Sequence, residues 1–168
     1  MPTYQSRRQY IAELYKPVLD SLAKYQTTGS ITVPNEPTGW TRVDRVVDKI
    51  VGALEKATDE EDYQTVGLLC REALISLAQA VYNSFIHGVI DSVMPSKTDA
   101  KRMLESYVMV ELKGESNEAH RKGVRTTLQL AVELQHRRTA NFRNAAMCAE
   151  ATRCLINLIA IIDGQRDP

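Results

Sequence analysis

Cysteine is scarce in this sequence, and the cysteines present are poorly placed for cross-links or metal binding. Cys70, Cys148 and Cys154 form no C-x-x-C pair, and an odd count in apolar surroundings reads as buried thiols in a reducing compartment. The cytoplasm is therefore the expected location. No H-E-x-x-H, Cys/His zinc spacing, G-x-S-x-G or Walker loop occurs, so metalloprotease, zinc-site, serine-hydrolase and NTPase chemistries lack their ligands. Neither a metal nor a cofactor is expected. Net charge is missing too: Lys+Arg and Asp+Glu both total 21, so no global field draws the chain to nucleic acid or to a membrane. Long apolar runs are absent. The uncharged stretch Cys154 to Ile162 is about half of a bilayer span and reads as a buried helix segment. No apolar h-region follows Arg7 and Arg8, so no secretory signal is expected.

Strand alternation is nearly absent as well, and helical periodicity fills the chain. Ile11, Leu14, Tyr15, Val18, Leu22 and Tyr25 form one stripe, and Pro17 inside it predicts a kink or break near Tyr15. TTGSITVPNEPTG (27–39) has no period and reads as a connector. Trp40, Val43, Val47, Ile50 and Leu54 then resume the spacing up to Ala57, and Thr58-Asp59-Glu60-Glu61 reads as a capping box. From Val66 to Ile86 only Arg71 and Glu72 are charged, which predicts a central helix. Pro95 and Ser96 open a fourth helix through Met103 and Leu104, with an extended path left open at Tyr107-Val-Met-Val. A stop at Lys113-Gly114 precedes a fifth helix from Asn117 to about Arg138. Thr139 or Asn141 caps a sixth, which ends at Asp163 before Gly164, a residue suited to the left-handed position beyond a helix end. The expectation is one all-α domain over 1–168, a bundle of about six helices. Residues 1–57 form a two-helix N-terminal extension, and the last four helices form the core.

Charge is neutral overall but uneven locally. Between His120 and Arg143 six basic residues (Arg121, Lys122, Arg125, Arg137, Arg138, Arg143) face one acid, Glu133. On a helix, Arg125 and His136 share a face about 16 Å apart along the axis. Glu133 stands three residues before His136 and four before Arg137, positions from which it can orient the imidazole or pair with the guanidinium. His136 is thus a candidate acid or base, Glu133 a candidate orienting group, and Arg125, Arg137, Arg138 and Arg143 candidate RNA or phosphate contacts. The same residues also suit an ordinary helix C-terminus, where the dipole favours bases. Arg143, in the first turn of the next helix, sits against the dipole. His87 and His120 are isolated and read as surface or terminus residues. Arg71, in so apolar a helix, is expected to be buried and paired with Glu150 across the bundle, because a lone buried charge is costly.

"VGLLCREALISLAQAVY" (66–82) followed by "LQLAVELQHRRTANFRNAAMCAEATRCLINLIAII" (128–162) resembles the HEPN superfamily, small helical bundles common in toxin–antitoxin and anti-phage systems. The resemblance covers about residues 59–163 and implies a four-helix core, a homodimer burying the last two helices, and RNA, a nucleotide, or an antitoxin or other defence-system protein as partner. Active members are metal-independent ribonucleases with an Arg-x(4–6)-His motif. Here the order is reversed: His136 precedes Arg137, Arg138 and Arg143, and none of the three histidines has an arginine at that spacing before it. Two functions follow. One is an RNA- or nucleotide-directed module of a toxin–antitoxin or anti-phage system. The other is a non-catalytic, dimeric accessory subunit without nucleic-acid activity.

Overall fold

A computed structural model describes residues 4–27, 36–89, 92–135 and 139–166. Among them the chain forms seven α-helices and no strand: α1 (Tyr4–Thr27), α2 (Thr41–Lys56), α3 (Glu60–Val81), the single turn α4 (Ser84–His87), α5 (Ala100–Glu111), α6 (Glu118–Gln135) and α7 (Phe142–Ile162). The all-α bundle is as the periodicity requires. The chain divides into two units, Met1–Asn35 and Glu36–Pro168. In the first, α1 continues through Pro17 without the expected break.

The second unit is built on α3 and α7. Leu74, Leu77, Leu155, Ile156 and Ile159 are essentially inaccessible to solvent, and α2, α5 and α6 pack around them. Val43, Val47 and Ile50 of α2 join the same core, so α2 belongs to the bundle, while α1 belongs to the first unit. The reason lies in α2's sequence: its three buried residues fall at four- and three-residue spacing, one full stripe for burial. Two buried thiols also sit in this core. Cys148 donates to the carbonyl of Ala131 on α6 at 3.7 Å, and Cys70 is held far above the ordinary thiol range by its hydrogen bond with Cys148 and by burial. Cys154, expected to be buried, is exposed on α7.

α3 is central but not apolar all round. Gln64, Leu68, Arg71, Glu72 and Gln79 recur at helical spacing as an exposed strip. Arg71 is therefore solvated and needs no buried partner, which corrects its expected pairing with Glu150. Glu150 instead accepts from Arg153 Nη1 at 2.7 Å, one turn along α7, and Arg153 is buried. The cap of α3 is also shifted by one residue. Asp59 Oδ1 accepts from the N–H of Asp62, while the Asp62 carboxylate accepts from the N–H and hydroxyl of Thr58. Aspartate wins this position because its carboxylate reaches the free N–H groups of the first turn and complements their positive end. At the far end of α7, Asp163 is the C-cap and Gly164 takes φ +74°.

Candidate functional site

α6 ends at Gln135 and α7 is capped at Asn141; His136, Arg137 and Arg138 between them lie outside the described residues. Both flanks of that short connection are fixed. The main chain of Gln135 lies over Gly67 of α3, close enough that a Cβ on Gly67 would stand 3.6 Å from the Gln135 carbonyl oxygen. Beyond the connection, Asn141 Oδ1 accepts from the N–H of Asn144 at 2.9 Å, and Phe142 meets Tyr63 of α3 edge-on at 6.4 Å between centroids. Sequence left Thr139 and Asn141 as alternative caps, and the hydrogen bond selects Asn141.

The described basic residues have different surroundings. Arg121 is engaged internally: its Nη1 donates to the carbonyls of Leu112 and Gly114, tying the end of α5 to the start of α6. Arg125 is exposed and its guanidinium reaches the sulfur of Met109. Lys122 is exposed one turn before it. Ten residues of helix put Arg125 about 15 Å from the end of α6, so Lys122 and Arg125 stand apart from Arg143 at the start of α7. At the corner, Glu133 and Arg143 are both exposed. Arg143 stands in the first turn of α7, a turn with no acidic residue. The first turn of α3, by contrast, carries Glu60, Glu61 and Asp62.

A second cluster lies at the opposite end of the bundle, where α3, α4, α5 and α7 terminate around an open cavity of about 690 Å³. Its centre is His87, the last residue of α4. It is a terminus residue, as its isolation suggested, but a buried one. The main-chain N–H of Asn83 donates to His87 Nδ1 at 2.8 Å, which places the ring proton on Nε2, and that nitrogen donates to Glu111 Oε1 at 3.2 Å. The ring is packed between Tyr82 and Tyr107, with centroids at 5.8 and 5.0 Å. Tyr82 donates to the carbonyl of Gly88 at 2.7 Å, a turn that Gly88 permits by taking φ +62°. Tyr107 donates to Asp163 Oδ1 at 3.1 Å. Burial, and then the Asp163 charge, push the Tyr107 hydroxyl well above the ordinary phenol range, so it keeps its proton and remains a donor. Sequence offered no signal for this cluster: its pairs are 24 and 56 residues apart, and neither separation belongs to a helical or metal-ligand spacing.

Among the described residues no group of three His, Cys, Asp or Glu side chains could hold a metal ion. No protein-family model, curated protein or solved structure matches the chain.

Proposed function

We propose that the chain is an RNA- or nucleotide-directed helical module of the toxin–antitoxin or anti-phage kind, and that the α6–α7 corner is its anion-contacting surface. The observation that carries this reading is the start of α7. An α-helix presents free N–H groups and a partial positive charge at its N-terminus, which proteins usually complement with Asp or Glu. α7 has no acid there and adds a guanidinium, Arg143, so an external phosphate would supply the missing charge. Arg137 and Arg138 precede it in sequence, and Lys122 and Arg125 offer further cationic contacts along α6. Under this reading His136 is the candidate acid or base and Glu133 its orienting carboxylate.

Single-stranded RNA titrated by fluorescence anisotropy over a range of salt tests the surface. Replacing Arg137 and Arg138, or Arg143, with Ala should weaken binding and lower the slope of log affinity against log salt by about one unit or less per lost phosphate contact. His136→Ala should abolish RNA cleavage or toxicity on expression while leaving binding nearly intact. Wild-type protein with neither salt-dependent RNA binding nor toxicity overturns the proposal.

The accessory-subunit reading is favoured by a different observation. Met147, Cys154 and Ile161 are exposed at seven-residue spacing along α7, and Leu130 of α6 is exposed as well. A stripe of that period suits a two-fold helix pair with a second copy, which is the homodimer expected from the last two helices. A dimer is common to both readings, and they part on RNA: the accessory subunit binds none. Light scattering at micromolar concentration decides the dimer, and a monomer mass removes it.

A further inference from the structure

The cavity at the ends of α3, α5 and α7 is electrostatically one-sided. Glu111 and Asp163 line it, and among the described residues no lysine or arginine does. His87 adds no positive charge, because the N–H of Asn83 occupies Nδ1 and leaves the ring as the neutral Nε2–H tautomer. The helix ends add to the negative side. Neither α3 nor α7 carries a basic residue in its last turn, so their negative dipole ends face the cavity without the usual complement. α5 lacks one too, although Arg121 reaches its cap from α6. Arg166, the nearest base to Asp163 in sequence, is engaged by Asn157 Oδ1 at 2.9 Å and by the carbonyl of Glu36 at 2.7 Å. The walls are aromatic: Tyr82 and Tyr107 stand on either side of His87, and Phe85 at the rim is 98 % exposed, with Ile86 beside it also exposed.

We propose that this cavity binds an organic cation, an alkylammonium or guanidinium group. Its charge lies against Glu111 and Asp163, and its hydrocarbon lies on Phe85 and Ile86. The separate observations converge on that chemistry. Two carboxylates and two helix ends that carry no basic residue attract positive charge, and the concave site focuses their field. Aromatic faces add cation–π attraction, which suits a diffuse organic cation. His87, Glu111 and Asp163 are not placed to share one ion, since among the described residues no three such side chains could hold a metal, and this turns the choice away from a metal ion. A cavity of about 690 Å³ is of the size that holds a small molecule or one long side chain. The roles divide clearly: His87 Nε2–H and Tyr107 hold the two carboxylates in place by hydrogen bonds, while Phe85, which does no packing work in the bundle, remains open for contact. The cation can come from a free amine such as a polyamine, or from a lysine or arginine side chain of a partner peptide.

Isothermal titration of the full chain with spermidine, butylammonium and butylguanidinium tests the proposal, beside a short peptide containing one lysine and the uncharged isostere butanol. We expect at least one of the cations to bind, with affinity falling as salt is raised, and butanol not to bind. Binding of free amines identifies a small-molecule ligand, and binding confined to the peptide identifies a side chain of a partner; both support the site. Glu111→Gln should weaken binding at least tenfold, and its amide oxygen can still accept from His87, so the fold should be kept. Should that variant fail to fold, Phe85→Ala tests the same site without touching the core and should weaken the butyl cations several-fold. No binding of any cation at millimolar concentration, equal binding of butanol, or unchanged binding in both Glu111→Gln and Phe85→Ala overturns the inference.

Discussion

Replacing Gly67 with alanine should stabilise the protein by about 1 kcal/mol. Gly67 is an interior residue of α3, where glycine costs conformational entropy that alanine does not. The usual objection, that a glycine gap is needed for close packing, can be checked by distance. A Cβ at this position would meet the carbonyl oxygen of Gln135 at 3.6 Å and its Cα at 3.7 Å, both ordinary van der Waals contacts, so nothing has to move. For a chain of this size the gain corresponds to a rise of about 2–4 °C in the melting midpoint. Leucine is different, because its extra carbons must enter space occupied by the Gln135 main chain. Overpacking of that kind costs about 1–3 kcal/mol and should push the end of α6 off α3, taking the α6–α7 corner with it. Thermal and urea melts measure the first effect, and RNA anisotropy measures the second: Gly67→Ala should retain binding and Gly67→Leu should weaken it. A destabilised alanine variant would show that α6 lies closer to α3 than these distances. A leucine variant with unchanged stability would show that Gln135 is not seated there at all.

Arg121→Ala should destabilise the protein by about 1–2 kcal/mol, allowing for solvent around a half-buried group, because it frees the carbonyls of Leu112 and Gly114. The same variant should leave the salt slope of RNA binding unchanged, unlike Arg143→Ala. The raised pKa of Tyr107 has a pH signature: with the folded value above the unfolded one, its contribution is complete below the ordinary tyrosine pKa of about 10 and is lost as the pH rises beyond that value. Urea melts from pH 8 to 11 should therefore show stability falling at the alkaline end, and Tyr107→Phe should flatten the fall; a slope that Phe leaves untouched would place its origin elsewhere. Mild oxidation should trap a dimer through the exposed Cys154 if α7 pairs with its copy in a two-fold stripe, and Met147→Glu should prevent it.

Most of the helices were legible because they carry their own period and punctuation; the single turn α4 was not, since four residues are too few to show a period, and α5 begins at Ala100 under an Asp99 cap rather than at Pro95 and Ser96. Asp163 and Gly164 were readable as the end of α7, and its start was narrowed to Thr139 or Asn141, since a cap depends on residues only a turn away. Long-range pairings were not legible. Arg71 read as buried because the run Val66–Ile86 has few charges, yet the helix turns its polar residues onto one exposed strip, and strip membership depends on which faces the neighbours cover. Arg121 read as part of a basic surface because composition counts charges without their partners; its partners are main-chain carbonyls, which no residue type announces. His87 read as isolated because its carboxylate lies 24 residues on, at the end of another helix. At the corner, the sequence named His136, Arg137 and Arg138, which lie outside the described residues, while the structure adds their flanks: Gln135 against Gly67 and the Asn141 cap.

The neutral net charge conceals how α7 is charged along its length. It opens with Arg143 where the dipole favours an acid, and it closes on Asp163 where the dipole favours a base. Either misplacement costs about 0.3–1 kcal/mol at an exposed helix end, and either would be relieved by an external group of opposite sign. The two ends are about 30 Å apart for a helix of this length, several times the Debye length of about 8 Å at physiological ionic strength, so neither charge can relieve the other. An anion at the α6–α7 corner and a cation in the His87 cavity would therefore bind without direct electrostatic coupling. Glu111→Gln should leave RNA affinity unchanged, and Arg143→Ala should leave spermidine affinity unchanged. A change of more than a few-fold in either cross-measurement would mean that the ends communicate through a shift of α7 itself, since the field between them is screened.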